Sequence, residues 1–332
     1  MWVGPIDVHD DALLRGFWEA GREGDEDGRA HSTFWAWKAA EVSFRAANNS
    51  VSQNAIAAID DGVVVGASQV ILPLLDNKHV AYIEPIVRPA HRRRGVGTAL
   101  LAATIDLCRA HGRTTLIGEV NQQLDGSPCP GRTFMEGHGF TVASEEIHRV
   151  LDLPVESAQI DALEASTVSH RDGYRLVSWD DRVPDEHIEG FAQVQIAFNE
   201  EAPTGELDIE PEHWDEARIR ATEERAARQG RRECVTVAID PAGEIVAMTQ
   251  MMRVDETPTW GAQGLTLVMP EHRGHRLGMA IKVANLRRYQ ERFDSVRAVH
   301  SWNAQENGPM IAINETLGFR PVERLLEMQR KL

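Results

Sequence analysis

Apolar and polar positions along the chain predict helices and strands in turn. Helical spacing covers Asp11–Ala20 and Phe34–Ala47, and two strand-like runs, "NAIAAID" and "VVVGASQVIL", flank an Asp–Gly turn that is typical of a hairpin. A third strand, "HVAYIEPIV", leads through a glycine-bearing turn into an apolar helix over Val96–Ala110. The strand "TTLIGEV", a short helix near Phe134 and the strand "FTVASEEIHRVLDL" complete this part of the chain.

The same order of elements comes a second time. The strand "YRLVSW" precedes helical patterns over Asp185–Phe198 and Glu212–Gln229, and the strands "CVTVAID" and "IVAMTQMMRV" flank the turn "PAG". Then come the strand "AQGLTLVM", a helix over Leu277–Arg292, the strand "VRAVHSW" and a helix that ends at "LGF". This repetition predicts a duplicated domain.

Matching landmarks in the two parts keep nearly the same spacing. Gly97 and Gly278 are 181 residues apart, and Gly139 and Gly318, each followed by phenylalanine, are 179 residues apart. A period of this length is the size of a domain and not of a solenoid repeat.

The length of 332 residues agrees with the repeat, because it is too long for one ordinary core and suits two domains. We therefore predict an α/β protein of the α+β type. Its N-terminal domain is expected at residues 1–153, a polar linker at 154–172 and its C-terminal domain at 173–332.

Charge and composition limit the partners. The formal net charge of −16 disfavours nucleic acid and favours cationic small molecules. No apolar run is long enough to span a membrane, and the opening "MWVGPIDVHDD" lacks the pattern of a signal peptide. Three separated cysteines form neither a metal-binding spacing nor a disulfide framework. We therefore expect a cytoplasmic monomer or homodimer without a metal, nucleic-acid or membrane partner.

The stretch "VRPAHRRRGVGTALL" has the features of an anion site. A strand runs into a turn with Gly95 and Gly97, and a helix begins there, so the unpaired N–H groups and the dipole of its first turn favour a negative charge. The glycines let a ligand approach the backbone, and the arginines at 92–94 add positive charge. The spacing predicts a site for the diphosphate of an extended ligand.

This motif resembles the signature of the GNAT superfamily of acyl-CoA-dependent N-acetyltransferases, Gln/Arg-x-x-Gly-x-Gly/Ala at a strand-to-helix junction. The first half matches it at Arg92, Gly95 and Gly97, whereas the second half has Arg276 in place of the first glycine. The resemblance implies two tandem domains, each with a mixed, mostly antiparallel, twisted sheet flanked by helices. It also implies acetyl-CoA as the cofactor.

The resemblance further implies which residues hold the coenzyme: the end of the strand before each motif, the motif itself and an asparagine that ends the next strand. In the first half these are Ile86, Val87, Arg92, Arg93, Arg94, Gly95, Val96, Gly97, Thr98 and Asn121. In the second half they are Leu267, Val268, Arg273, Gly274, His275, Arg276, Leu277, Gly278 and Asn303. A strand bulge that presents N–H groups to the thioester is expected at Pro85–Val87 and at Thr266–Val268.

Acetyl transfer to an amine needs a base near these strands. Glu84 lies in the strand before the first motif and Glu119 in the next strand; each is either a base or an outward-facing strand carboxylate. The second half has no carboxylate at the matching place. Its candidates are His300, which could equally be a packed strand histidine, and the loop carboxylates Glu200, Glu201 and Asp208. The tyrosine that often serves as acid in the family is replaced by Met135 and Asn314.

In this family the loop between the first two helices of a domain shapes the acceptor pocket. In the second half this loop is the acidic stretch "FNEEAPTGELDIEPEHW", which would suit an amine or polyamine-like acceptor, or would simply be solvated. The residues predicted to bind the acceptor are Trp35, Asn199, Glu200, Glu201 and Asp208.

The leading interpretation is an acetyl-CoA-dependent N-acetyltransferase that acts on a small-molecule amine, such as an antibiotic or a metabolite. A narrower alternative is acetylation of a cysteinyl amine, as in mycothiol synthase, a tandem member of the family. The alternative of another class is a catalytically degenerate protein that binds or senses acyl-CoA. A protein acetyltransferase is a third possibility that the sequence does not test.

Overall fold

The computed structural model describes residues 1–332, which fold into two compact units. The first unit holds residues 1–145, 204–210 and 324–332, and the second holds residues 146–203 and 211–323. These units differ from the predicted domains, which were continuous in sequence. The difference arises because strand pairing joins residues that are far apart in the chain, and the periodicity of a segment does not report its pairing partner.

Helices and strands alternate in the predicted order. The first half of the chain forms β1 (Trp2–Pro5), α1 (Asp11–Glu26), α2 (Trp37–Arg45), β2 (Val51–Asp60), β3 (Val63–Pro73), β4 (Val80–Val87), α3 (Val96–Ala110), β5 (Thr115–Gln123), α4 (Pro130–Gly137) and β6 (Thr141–Asp152). The second half forms α5 (Ser157–Val168), β7 (Arg175–Asp180), α6 (Ile188–Glu201), α7 (Glu216–Arg228), β8 (Arg231–Ile239), β9 (Ile245–Val254), β10 (Thr257–Val268), α8 (Leu277–Arg292), β11 (Ala298–Ala304), α9 (Gly308–Leu317) and β12 (Arg320–Lys331).

The two units have the same sheet topology. In the first, β1 to β4 pair antiparallel in chain order and β4 pairs in parallel with β5. Residues 324–332 lie on the other side of β5, where Leu332 N donates to Thr114 O at 2.8 Å. In the second, β7 to β10 pair antiparallel, β10 pairs in parallel with β11, and residues 146–152 lie beside β11. The predicted mixed, mostly antiparallel sheet is thus confirmed for each unit.

Helices cover both faces of each sheet. In the first unit, Leu14 of α1 is buried in the core on one face, and Leu100 of α3 is buried on the other. In the second unit, Phe191 of α6 and Leu286 of α8 take the corresponding places. Full burial of each such side chain contributes roughly 1.5–3 kcal/mol to stability. We name the two faces of the first sheet the α1 face and the α3 face.

The predicted linker is not a linker in the structure, because it contains α5. This helix packs on α8 through Ile160, which is 2% exposed, and Asp161 and Glu164 pair with Arg287 at 2.8 and 2.9 Å. The sequence patterns also did not predict β1 or β12. Periodicity does not show β1, because this strand has only four residues and one of them is buried.

Candidate active site

Each unit contains one pair of parallel strands that pair at their beginning and then separate. β4 and β5 pair up to Ile83 and Gly118, so the last four residues of β4 and the last five of β5 do not pair with each other. β10 and β11 separate likewise after Ala262 and His300. Such an opening leaves backbone N–H and C=O groups with which an extended ligand can pair. We name these openings the first fork and the second fork.

The glycine–arginine motif follows β4 and ends in the first turn of α3. Arg93 and Gly95 have a left-handed backbone, with φ of +62° and +81°. The N–H groups of residues 93–98 donate to no backbone or side-chain acceptor, since the first bonded N–H is that of Ala99, which donates to Gly95 O at 3.1 Å. Six consecutive N–H groups at the start of a helix therefore form a positively polarised cradle.

The three arginines of this motif have different surroundings. Arg92 donates to Gly24 O at 2.9 Å and to the carboxylate of Asp27 at 2.5 Å, which ties the motif to the end of α1. Arg93 and Arg94 are exposed and make no hydrogen bond or ion pair within the protein. The positive charge available to a ligand at the cradle is therefore that of Arg93 and Arg94.

The second motif has the same backbone conformation as the first. Gly274 and Arg276 have φ of +89° and +52°, so the glycine occupies the first of the two left-handed positions instead of the second. The side chains differ in their partners, because Arg276 donates to Ser166 O at 3.1 Å and His275 Nδ1 lies 3.3 Å from His170 O. These carbonyls lie in and just after the last turn of α5, the negative end of that helix. Their charge disfavours an anion at the second cradle.

The strand bulge expected before each motif is present in the second unit and absent from the first. The pairing of β9 with β10 shifts between Gln263 and Thr266, and Gln263 Nε2 donates to Gln250 O at 2.5 Å. In the first unit, β3 and β4 pair without a shift through Pro85–Val87, so the predicted bulge there is wrong. The reason is that the residues of β3 opposite this stretch continue in register.

Three glutamates on adjacent strands of the first unit, Glu84, Glu119 and Glu327, share the α1 face. Successive side chains of a strand point to opposite faces of the sheet. A strand neighbour of each glutamate belongs to the core on the α3 face: Ile83, Val120 and Met328. The first two glutamates are also the first residues beyond the paired part of the fork. The structure thus brings together the two predicted carboxylates and adds a third.

Glu84 has an unusual electrostatic environment. Burial raises the pKa of Glu84 to about 8. The negative charges of Glu119 and Asp25 add to this rise, and the positive charge of Arg29 opposes it. The Glu84 side chain is partly buried and receives no hydrogen bond. The nearby cation, Arg29, already pairs with Asp25. Glu84 is therefore mostly protonated at neutral pH and becomes a base as the pH approaches 8.

The two neighbouring glutamates are shifted in the same direction. Nearby protein atoms partly desolvate Glu119 and raise its pKa, and the negative charge of Glu327 adds to this rise. Part of the side chain still contacts water, which limits the rise. Burial also raises the pKa of Glu327 against a hydrogen bond from Ser144. All three carboxyl groups at the first fork are therefore shifted toward the protonated form.

His300, the candidate base of the second half, lies in the interior of the second unit and is 4% exposed. Its Nδ1 is 2.8 Å from Nε2 of His148, whose Nδ1 is 3.4 Å from Glu323 Oε2. Trp302 stacks on His148 with 4.5 Å between ring centroids, and Trp260 packs edge-on against His300 at 5.6 Å. His300 is thus part of a packed cluster, in a different unit from the candidate glutamates.

The residues at the tyrosine positions of the family are both buried. Met135 is 3% exposed and lies in the core of the first unit. Asn314 donates from Nδ2 to Asn303 Oδ1 at 2.7 Å, and its own Oδ1 has no partner. Neither side chain carries an acidic proton. Asn121, the counterpart of Asn303, is partly buried on the unpaired end of β5.

The prediction that Asp208 belongs to an acceptor loop of the second domain is wrong. Residues 204–210 are part of the first unit. Asp208 accepts a hydrogen bond from Thr115 Oγ1 at 2.8 Å, lies 3.2 Å from His79 Nε2 and pairs with Lys331. Thr115 is the first residue of β5, at the end of the strand away from the fork. The contacts with Thr115, His79 and Lys331 therefore fix the position of Asp208 away from the fork.

The other residues predicted to bind the acceptor have structural contacts. Three of them lie in the last turns of α6: Asn199, Glu200 and Glu201. Glu201 pairs with the motif residue Arg273 at 2.7 Å, as Asp27 pairs with Arg92 in the first unit. Trp35 packs against Phe44 with 5.6 Å between ring centroids.

Sequence reasoning missed Asp25, Arg29 and Glu327 at the first fork, and His148 and Glu323 beside His300. The alternating run after the second Gly–Phe pair was the signal that could have revealed the last strand, and with it Glu327. Residues 1–332 contain no group of three or more His, Cys, Asp or Glu side chains placed to hold a metal ion. None of the helices combines the length and apolar character needed to cross a membrane.

Comparison with known proteins agrees with this geometry. Residues 11–126, which include α1, the first motif and both candidate glutamates, match the model of the acetyltransferase (GNAT) family. No protein of curated function matches the sequence. A solved tandem GNAT protein from the clavulanic acid biosynthesis pathway is 26% identical, over 99% of this chain and 98% of that chain, with a TM-score of 0.80.

More distant structures share the fold. A GCN5-related N-acetyltransferase from Sphaerobacter thermophilus is 14% identical, over 99% of this chain and 95% of that chain, with a TM-score of 0.69. A putative acetyltransferase from Pyrococcus horikoshii is 13% identical, over 100% of this chain and 89% of that chain, with a TM-score of 0.57. Residues 11–126 thus form a domain that matches the acetyltransferase (GNAT) family, and over its whole length the chain is similar to a solved tandem GNAT protein.

Proposed function

We propose that the chain is an acetyl-CoA-dependent N-acetyltransferase that acetylates a small-molecule amine in the cytoplasm, with the first fork as its active site. The observation that carries this proposal is the position of Glu84. This partnerless glutamate with a pKa of about 8 lies on the strand that leads into the open cradle of residues 93–98. In the second unit, the Arg276 side chain of the motif donates to a carbonyl of α5, and no glutamate stands on the matching strand.

The first motif fits the pyrophosphate of acetyl-CoA, which when bound supplies the acetyl group as a thioester. The six unpaired N–H groups and the two unpaired arginines of the cradle offer hydrogen bonds and charge to an anion. No atom lies within 4 Å of the place that a Cβ on Gly95 would take, so the cradle is open at this point. We assign Ile86 and Val87, on the unpaired end of β4, and Asn121 of β5 to the arm of the coenzyme.

Glu84 accepts the proton of the acceptor ammonium in this proposal. A carboxylate of ordinary pKa is too weak a base for this task at neutral pH, whereas one with a pKa of about 8 is close to the operating pH. A proton that arrives on Glu84 also removes its repulsion with Glu119 and Asp25, which favours the transfer. The unprotonated amine that results is the nucleophile.

Met135 cannot assist the departing thiol, because a thioether has no proton to give. Its side chain is packed into the core beside Gly118, where a Cβ would lie 2.9 Å from Met135 Cε. The amine nitrogen loses a second proton as the amide bond forms, and water at the open end of the fork carries a proton to the departing thiolate. A thiolate leaves readily at neutral pH, since its conjugate acid has a pKa near 8.5.

The test is acetyl transfer by the full chain to a panel of small amines, with the acetylated product and the released thiol measured together. We expect product with at least one amine, and a loss of about 10²-fold in kcat for Glu84→Gln. Binding of acetyl-CoA should stay unchanged in this variant, because Glu84 is not part of the cradle. A wild-type protein that binds acetyl-CoA and yields no product across the panel would reject the proposal.

A second candidate function is an acyl-CoA-binding protein without turnover. It is favoured by the residues at the tyrosine positions, Met135 and Asn314, because neither provides an acid. This candidate predicts tight binding of acetyl-CoA that Glu84→Gln leaves unaltered, and no product with wild type or variant.

A further inference from the structure

The core under α8 and α9 contains polar side chains at places where the first unit has apolar ones. Lys282 of α8 corresponds to Leu101 of α3, and Asn314 of α9 corresponds to Met135 of α4. Leu101 and Met135 belong to one apolar cluster of the first unit. Lys282 and Asn314 are as deeply buried, with 2% and 0% of their surface exposed. The fold itself therefore does not require polar groups at this place.

A third polar side chain lies on the same face of the second sheet. Arg149 of β6 is 6% exposed and lies beside β11, as Met328 of the same apolar cluster lies beside β5. Leu151, two residues along β6, packs in the core under α8, so Arg149 faces the same side. Its Nε has no hydrogen-bond partner, and the negative charge of the exposed Glu315 partly offsets its own. We name Lys282, Asn314 and Arg149 the polar core site.

Two further atoms of this site, Lys282 Nζ and Asn314 Oδ1, are buried and have no hydrogen-bond partner in the protein. Lys282 Nζ lies 5.6 Å from the centre of the Phe319 ring, and no carboxylate offsets the effect of burial on its pKa. Asn314 donates from Nδ2 to Asn303 Oδ1 at 2.7 Å, so its Oδ1 is an acceptor held in one orientation. Buried polar groups without partners cost stability, and a ligand that supplies the partners removes this cost.

The second fork provides a path to the polar core site. β10 and β11 pair in parallel only as far as Ala262 and His300. Asn303 lies on β11 beyond this point and is partly exposed, whereas its partner Asn314 is fully buried. The hydrogen bond between these two asparagines therefore connects the opening of the fork with the interior.

The missing partners define the ligand. Lys282 and Arg149 offer N–H donors and positive charge, which an anionic oxygen accepts, and Asn314 Oδ1 needs a donor. We propose that the second unit binds a small oxyanion that carries a hydroxyl group, a hydroxycarboxylate or a hydrogen phosphate, at the polar core site. Its anionic oxygens face the two cations and its hydroxyl group donates to Asn314. The site needs neither acetyl-CoA nor the first fork, so it goes beyond the proposed function.

Glycolate and acetate test the proposal, because both are small carboxylates and only glycolate carries a hydroxyl group. Melting of the full chain is followed at pH 7 in a zwitterionic buffer at constant ionic strength, with chloride as the reference anion and phosphate as a second probe. We expect a saturable rise in Tm with glycolate or phosphate. Acetate should bind about tenfold or more weakly than glycolate, because it leaves Asn314 Oδ1 unpaired.

Lys282→Leu and Asn314→Met give the second unit the residues of the first, and each should abolish the rise in Tm. Loss of the rise in Lys282→Leu does not come from unfolding, since removal of a buried unpaired charge stabilises the free protein. Leu101→Met, a core change in the first unit, should keep the rise. Gly97→Glu should also keep it, because this variant blocks only the first cradle.

No rise with either probe above that with chloride overturns the proposal, and so does equal binding of glycolate and acetate without a response to phosphate. A rise that survives both Lys282→Leu and Asn314→Met shows a general salt effect and also rejects the site. A rise that Gly97→Glu abolishes and Lys282→Leu keeps places the anion at the first cradle and rejects it as well.

Discussion

Glu84 and Glu119 are the first residues of β4 and β5 beyond the last paired positions of the two strands, and both face α1. Parallel pairing brings the strands together just before this point, so the two carboxylates are held close while the strands diverge. The charge of Glu119 is the largest electrostatic contribution to the raised pKa of Glu84 after burial itself. The free protein thus holds two repelling acids at the opening where a ligand would enter.

Removal of the Glu84 charge should stabilise the free protein in a pH-dependent way. Since the pKa of Glu84 is raised from 4.5 to about 8, its contribution to stability is complete below pH 4.5 and is lost as the pH rises to about 8. Chemical denaturation of Glu84→Gln and wild type should therefore show a gap that grows from pH 4.5 to about 8 and is constant above. The control is Asp106→Asn, which makes the same change of charge on the exposed side of α3. A gap that is the same at pH 5 and pH 8 would contradict the assigned pKa.

The same group should control the pH dependence of acetyl transfer. With an acceptor whose own pKa lies well above 8, kcat/KM of the wild type should rise with pH and level off above about 8, as Glu84 loses its proton. In Glu84→Gln this inflection should disappear along with most of the rate. Initial rates between pH 6 and 9 decide the point, and an inflection retained in the variant would exclude Glu84 as the base.

The two motifs should differ in coenzyme binding. Gly97→Glu places a carboxylate beside the N–H groups that are expected to hold the pyrophosphate, so it should abolish acetyl-CoA binding. Gly278→Glu makes the matched change in the second unit, where carbonyls in and just after α5 already contact Arg276 and His275, and it should leave binding intact. Calorimetry should give one site per chain in the wild type. Two sites would show that both units bind the coenzyme. Loss of binding with Gly278→Glu alone would place the coenzyme site in the second unit.

Lys282 should lower the stability of the second unit. It is 2% exposed, its Nζ has no hydrogen-bond partner, and burial lowers its pKa from 10.5 to about 7. The destabilisation grows as the pH falls from 10.5 to about 7 and is constant below. Lys282→Met should therefore stabilise the protein at pH 7 by an amount on the order of a few kcal/mol.

The control for this variant is Leu101→Met, which changes the corresponding core position of α3 without changing charge. It should alter stability by less than about 1.5 kcal/mol at every pH. Denaturation curves at pH 7 and pH 10 test the pair. A gain from Lys282→Met that does not shrink toward pH 10 would mean that packing, and not charge, causes it.

Gly24 should be essential for the contact between α1 and β4. A Cβ at this position would lie 2.2 Å from Ile86 Cγ2 and 3.0 Å from Val87 O, so Gly24→Ala must push α1 away from the strand. Asp25 and Arg29 would move with it, and we expect a lower melting temperature and a higher KM for the acceptor. Gly137→Ala, where no atom lies within 4 Å of the added methyl group, should leave both unaltered. Normal KM and melting in Gly24→Ala would show that α1 is not fixed here.

The repeat, the two motifs and the order of helices and strands could be derived from the sequence because they depend on residues close together in the chain. Periods of 2 and 3.6 residues and glycines at fixed spacing are local properties. The same is true of Glu84 and Glu119, which were recognised as carboxylates beside the first motif. The left-handed conformation of Arg93 and Arg276 has no such local signal, since neither is glycine.

Tertiary structure alone decided which segments belong together. Hydrogen bonding between strands places residues 324–332 beside β5 and residues 146–152 beside β11, across more than a hundred residues of chain. That pairing brings Glu327 to the side of Glu119, and contacts with Lys331, Thr115 and His79 hold Asp208 in the first unit. Local sequence determined the two motifs and the strands that lead into them, whereas the forks and the charge balance at the first fork depend on non-local pairing and burial, which periodicity cannot encode.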